Sequence, residues 1–176
     1  MQEVRGSDGS RSAIRLTPMT GRAYYSSPVG DLLIESEGNK ITTVNFLKTE
    51  RQETKITPVI EQCISELEEY FYKGRKFFTV ELDPHGTDFQ RKVWNELLNI
   101  PYGRTCSYES LALRVGDLNA VRAVGLANGQ NPIAVIIPCH RVIGKNGDLI
   151  GYGGGLDNKV WLLQHEGAFS EQLTLF

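Results

Sequence analysis

An α+β chain of two small units is what this sequence predicts, on three observations. β-rich runs broken by turn residues fill positions 21–47, a helical spacing follows, and from Gly86 onward the spacings are helical apart from one β-branched run. With 176 residues, 40% of them hydrophobic and 23% charged, the chain can bury one good core or two small ones.

Taken in order, residues 1–20 mix Gly, Ser, Asp and Arg with isolated apolar residues, which predicts a flexible tail without the apolar h-region of a secretion signal. No stretch approaches the roughly eighteen uninterrupted apolar residues of a membrane span. A soluble protein with no membrane partner is expected, cytoplasmic or, in a eukaryote, nuclear. Residues 24–36 and 40–47 flank Gly38-Asn39 as a hairpin would, with Pro28 and Gly30 bending the first run. Ile60, Ile64, Leu67 and Phe71 then recur at helical spacing, with Pro58 just before and Gly74 just after. A short strand is expected at 77–82. Residues 21–83 thus read as a scaffold domain with no catalytic constellation, and Cys63 as part of its core.

Asp83-Pro84-His85-Gly86 is a linker in which His85 is no ligand. Thr87 and Gln90 form a capping box opening a helix that buries Phe89, Val93 and Leu97 and stops before Pro101. Ser107 caps a helix over 108–115 ended by Gly116, Asp117-Leu118 make a turn, and Asn119 caps a second helix over 120–128 with Val121 and Val124 inward. That is a helix-turn-helix pattern, although two short helices joined at a glycine also occur in ordinary cores. The small residues Ala123, Gly125 and Ala127 on the outer side would let a DNA backbone come close beside the long cation Arg122.

Charge neither demands nor forbids such a partner. The net charge is −2, and from Gly86 onward eight Lys or Arg balance eight Asp or Glu. DNA binding cannot rest on bulk charge here.

The chemistry concentrates after Asn131-Pro132. Ile133-Ala134-Val135-Ile136-Ile137 predicts a buried strand or extended segment closed by Pro138, which places Cys139 at its end with His140 and Arg141 beside it. Cationic neighbours favour the thiolate, the nucleophilic form. Adjacent residues in extended chain point to opposite faces, so a bridging water is the simpler route from thiol to imidazole. Glu166 is a candidate to hold the His140 tautomer. On these residues alone a structural thiol, a hydrolase and a transferase all remain open. Cys106 is expected to be inert. Three widely spaced cysteines and scattered histidines suggest a reduced compartment, no metal and no cofactor. Gly144-Lys145-Asn146-Gly147 is a turn, and Gly151-Tyr152-Gly153-Gly154-Gly155 could wrap a flat ligand or form a surface loop. A final helix over 156–166 buries Val160 and Leu163.

Ile137-Pro138-Cys139-His140-Arg141-Val142-Ile143 resembles the signature of the O6-alkylguanine-DNA alkyltransferases. Ile100-Pro101-Tyr102-Gly103, Ser107-Tyr108, Arg122-Ala123-Val124-Gly125, Asn131-Pro132, Gly151-Tyr152 and His165-Glu166 follow the same family in order. The resemblance runs from Gly86 to about Gly167. It implies a ribonuclease H-like N-terminal domain over 21–83 and a mainly helical DNA-binding and transfer domain over 86–170.

The resemblance also implies roles. Cys139 would accept the alkyl group, His140 would act as base through water, Glu166 would orient His140, and Asn131 would brace the turn. Tyr108 would donate a proton to departing guanine. Arg122 would replace the flipped nucleotide, with Ser107, Ala123 and Gly125 also on the DNA side. Tyr152, Gly153, Val142 and Ala134 would line the base pocket, and Arg141 would hold the fold. The partner would be double-stranded DNA carrying alkylated guanine, with O4-alkylthymine a further candidate. The DNA would be approached from the minor groove with base flipping, and a monomer would suffice. No counterpart appears for the zinc ligands of some relatives. Small residues at Ala134 and Gly153 suggest room for groups larger than methyl. The rivals are a sensor of alkylated DNA that does not react and a cysteine hydrolase.

Overall fold

The computed structural model describes residues 19–169, so all but Met19 and Thr20 of the expected tail lies outside the described residues. Thr20 itself opens the first strand. β1 (Thr20–Ser27), β2 (Gly30–Glu37) and β3 (Lys40–Phe46) form an antiparallel meander in the order β1-β2-β3. The expected bend at Pro28 is a second hairpin. Ser27 pairs with Gly30, because proline cannot donate to a ladder and Gly30 supplies the positive φ of 107° that the turn needs.

One face of the sheet buries Ala23, Leu32, Ile34, Ile41 and Val44 against Ile60, Cys63, Leu67, Tyr70 and Phe71 of α1 (Pro58–Lys73). Pro58 is the first helical residue, and Gly74 closes the helix in the left-handed region at φ 75°. The strand expected at 77–82 is reduced to a single parallel bridge, Leu82 to Ile41 of β3. There the backbone N–H groups of Thr79 and Val80 bond the buried Glu66 carboxylate, at 2.7 and 3.3 Å, and Phe77 stays exposed.

α2 (Asp88–Leu98) starts at the expected capping box, Thr87 with Gln90. Its inner face is Val93, Trp94 and Leu97; Phe89 is 37% exposed, displaced by the larger indole, whose Nε1 donates to Ala127 O at 2.8 Å. β4 (Cys106–Ser107) leads into α3 (Tyr108–Val115), capped by Ser107 and stopped by Gly116. The turn differs from expectation. Asp117, not Asn119, provides the cap, accepting from Asn119 N at 2.8 Å, and Leu118–Ala120 form a 3-10 turn before α4 (Val121–Gly129). α4 turns Val124, Ala127 and Asn128 inward and Arg122, Ala123 and Leu126 outward, so Ala127 belongs to the core and not to the outer side.

The run Ile133–Ile137 is not a strand. Ile137 N returns to Ile133 O at 3.0 Å in a tight buried turn, with Val135 at φ 70°. A β-branched residue there costs about 1–3 kcal/mol and persists only where surroundings impose it. They do: β3 clasps the turn from the other domain, Val44 N to Pro132 O at 3.0 Å and Ala134 N to Val44 O at 2.7 Å. A 3-10 turn, Cys139–Arg141, follows, then β5 (Val142–Ile143), parallel to β4, and α5 (Leu156–His165), which buries Lys159, Leu162 and Leu163 while Val160 is only partly covered. Among the described residues no helix is long and apolar enough to cross a membrane.

Gly86 packs so closely that a methyl group there would overlap the Trp94 ring. Gly86→Ala is expected to destabilise the protein by about 1–3 kcal/mol in denaturant unfolding, since the ring is held at both ends.

Candidate active site

Cys139 is buried at the N-terminus of its 3-10 turn, and the preceding Asn131 turn fixes its sulfur. Asn131 Oδ1 accepts from Ile133 N at 3.0 Å, while its Nδ2 donates to Ile137 O at 2.8 Å and to Cys139 Sγ at 3.1 Å. Asn131 therefore both braces the turn and touches the Cys139 sulfur.

His140 is completely buried, with Nε2 2.8 Å from Glu166 Oε1. Its Nδ1 has no protein partner. Burial holds the imidazole below its ordinary pKa despite the carboxylate, which favours the neutral ring. Glu166, just past α5, collects five donors: Tyr70 Oη at 2.7 Å and Arg141 Nη2 at 3.0 Å join His140 on Oε1, and Arg141 Nε at 2.7 Å and Gly103 N at 3.3 Å reach Oε2. Burial opposes ionisation, but the bonds from His140 and Arg141 outweigh it and hold the carboxyl well below the usual range. Arg141 also donates to Ile100 O at 2.6 Å, so it is bound into the structure as expected.

The expectation of a thiol acidified by its neighbours in sequence is not met. Burial pushes the Cys139 thiol up, and Asn131 and Lys159 only partly counter it. Arg141 is committed to Glu166. The counteracting cation is Lys159, which sequence reading missed: it is fully buried, donates to Ile150 O at 2.8 Å, and burial brings it down to about 8. Its signal was the inner-face spacing Lys159, Leu162, Leu163, Glu166. Cys106 and Cys63 are buried and pushed up by desolvation, Cys63 to about 12.

A cavity of about 120 Å³ reaches Cys139 between Asn131, Ala134, Asn128, Tyr152 and Gly153. It shares Asn128, Gly129, Gly151, Tyr152 and Gly153 with a cleft of about 550 Å³ that is also lined by Tyr108, Val121, Gly125 and Ile150. The Tyr108 hydroxyl is 3.3 Å from Ile150 O. Gly125 seats the Tyr108 ring, 3.7 Å from where its Cβ would stand. Tyr152 packs edge-on against His140 and Phe46. Its buried hydroxyl and Oδ1 of Asn128 have no protein partner. Asn128 was also missed, although a polar residue beside Val124 and Ala127 on an inner face is a legible signal.

Val142 is a correction: its side chain lies in the core, away from both cavities. Ser107 is engaged in capping α3, Ala123 is exposed, and Arg122 is exposed in the first turn of α4. A second large cavity, about 500 Å³ between Phe78, Leu82, Tyr102 and Pro138, holds no nucleophile. Among the described residues no cluster of His, Cys, Asp and Glu is gathered to hold a metal ion.

Residues 88–168 match the family described as 6-O-methylguanine DNA methyltransferase, DNA binding domain, and residues 22–84 its ribonuclease-like domain. A Methanosarcina acetivorans protein named methylated-DNA-protein-cysteine methyltransferase is 45% identical over 152 residues, 83% of this chain and 97% of its own. One of the same name from Mycobacterium bovis is 47% identical over 156 residues, 85% and 94% of the two chains. The crystal structure of Mycobacterium tuberculosis O6-methylguanine methyltransferase is similar at TM-score 0.77 and 43% identity, covering 90% of this chain and 99% of that one. A Mycobacterium tuberculosis structure in complex with DNA gives 0.75 and 46%, over 82% and 91%.

Lys159 should carry a stability signature. Its folded pKa lies below its unfolded one, so the unfolded chain binds more protons between about pH 8 and 10.5 and stability rises with pH across that window. Lys159→Met should flatten this rise and stabilise the protein at pH 7 by ~1–3 kcal/mol, measured by denaturant unfolding at a series of pH values.

Proposed function

The chain belongs to the O6-methylguanine DNA methyltransferase family, and on that premise we propose that it repairs DNA directly, moving an alkyl group from guanine O6 to Cys139 in one irreversible step. The observation that carries this is a buried sulfur facing a cavity, beside a neutral histidine whose free Nδ1 is backed by an ionised carboxylate.

The thiol proton passes through a water to His140 Nδ1, and the imidazolium is stabilised by Glu166. Sγ attacks the alkyl carbon as its bond to O6 breaks, giving a thioether and a guanine anion. Tyr108 protonates the leaving purine. Lys159 favours the developing thiolate, and Asn131 keeps the sulfur aimed. A thioether has no carbonyl for water to attack, so each molecule acts once.

The partner is double-stranded DNA carrying alkylated guanine, bound by a monomer through α3 and α4 from the minor groove, with O4-alkylthymine as a second substrate. A stacked base cannot reach Sγ, so it must flip, and Arg122 fills its place while Ser107, Ala123 and Gly125 let the backbone approach. The base enters between Tyr108 and Tyr152, where the unpaired Asn128 Oδ1 and Tyr152 hydroxyl await polar groups. Space at Ala134 and Gly153 admits groups larger than methyl; a benzyl transfer rate far below the methyl rate removes that part. Residues 21–83 act as scaffold, 86–170 carry binding and transfer, and the cytoplasm is the expected site of action. No cofactor is needed for this chemistry.

Incubation with methylated duplex should add one methylene mass, stoichiometrically, to the peptide containing Cys139. Cys139→Ala should bind the duplex and gain nothing. A wild-type protein that binds without gaining mass is a sensor, and one that turns over repeatedly is a hydrolase. Arg122→Ala should slow transfer from duplex about tenfold or more while leaving transfer from a free alkylated base nearly unchanged.

A further inference from the structure

We propose that Tyr70, on α1 of the first domain, is a positioning residue for alkyl transfer: its hydroxyl, 2.7 Å from Oε1 of Glu166, sets how strongly that carboxylate draws on the His140 ring. The inference rests on Cys139 as acceptor and His140 as its base.

Packing alone would be served by phenylalanine. Tyr70 is fully buried, its ring held by Phe71, Phe78, Tyr102 and His165. His165 Nε2 also meets the Tyr70 backbone carbonyl at 2.8 Å, fixing this turn of α1 against the end of α5. A hydroxyl in such a place is costly unless bonded, and this one meets the oxygen that binds His140. Three donors, Tyr70, His140 and Arg141 Nη2, share Oε1, so each moderates the pull on the others.

The charged and titratable groups around this pair are few. His140 faces Glu166, Arg141, Lys159 of α5, Cys139 and Tyr152; Glu166 faces His140, Arg141, Tyr70, Tyr102 and Tyr152. Of these only Tyr70 comes from the first domain. Burial and then Glu166 raise its own pKa far above the ordinary tyrosine value, so it remains a donor throughout the reaction.

Withdrawing the hydroxyl returns electron density on Oε1 to the His140 bond and makes the imidazole more basic. His140 works as a base only when neutral, so the acid limb of transfer then moves to higher pH.

Tyr70→Phe keeps the ring. Its expected effect is a rise of about half to one unit in the His140 pKa, read by NMR of the ring, three- to tenfold in proton affinity. The acid limb of single-turnover transfer should rise by the same amount. 3-Fluorotyrosine introduced at position 70, a stronger donor of nearly the same shape, should shift both the other way, and it decides the matter alone if Tyr70→Phe does not fold. A purely structural hydroxyl would change the melting temperature and leave the ring titration where it was in both proteins, which overturns the proposal. The ring titration uses no DNA: an unmoved titration removes the inference about Tyr70, whereas a wild-type protein without an adduct on Cys139 removes the transfer reading.

Discussion

Everything at this site depends on one buried carboxylate being fully bonded. A buried ionised Glu166 without partners would cost several kcal/mol and would take up a proton instead. Five donors from Tyr70, Gly103, His140 and Arg141 keep it charged. Because it is charged, it fixes the His140 ring with Nε2 inward, which leaves Nδ1 as a free base. The same oxygens tie together α1, the loop after α2, the Cys139–Arg141 turn and the end of α5. Fold and chemistry therefore share a single electrostatic centre.

The second constraint is the division of labour between the domains. Cys139 lies outside the first domain, yet β3 clasps the turn that carries Asn131, Phe46 packs on Tyr152, and Tyr70 bonds Glu166. The strained Val135 is tolerable because that clasp and the Asn131 bonds leave the turn little freedom. A domain that reaches the surroundings of Cys139 at three points does more than cover them; it holds the buried sulfur in place.

Local signals in the sequence carried through where the physics was local. The Thr87 capping box, the Ser107 cap, the Pro58 start and the Gly74 and Gly116 stops depend on neighbours within four residues, and all are present. The cap at Asp117 in place of Asn119 is a local miss; the larger failures share a non-local cause. The run Ile133–Ile137 has the composition of a strand, but its backbone is held by β3, which lies far outside any local window. Phe89 and Trp94 compete for one inner face, and the packing of Gly86 and Ala127 around the indole decides it. The site was legible in Cys139, His140 and Glu166 through the resemblance of the motif. For Lys159, Asn128 and Tyr70 the sequence marks only a polar group among buried helix positions; that each lies beside the Cys139 turn or the carboxylate comes from the tertiary structure alone.

The thiol itself completes the account. Burial disfavours the resting thiolate, so under the proposed reaction the nucleophile would be made on demand, with His140 taking the proton as the alkylated base arrives, and the imidazolium would be tolerable only beside an anion. The most direct test is therefore the ionisation of Glu166, followed as the carbon-13 shift of its carboxyl group while pH is lowered. The predicted result is a carboxylate that stays ionised through the range where exposed glutamates titrate and takes its proton only as the protein unfolds. A carboxyl that protonates at or above the ordinary value of about 4.3 in the folded protein would contradict it.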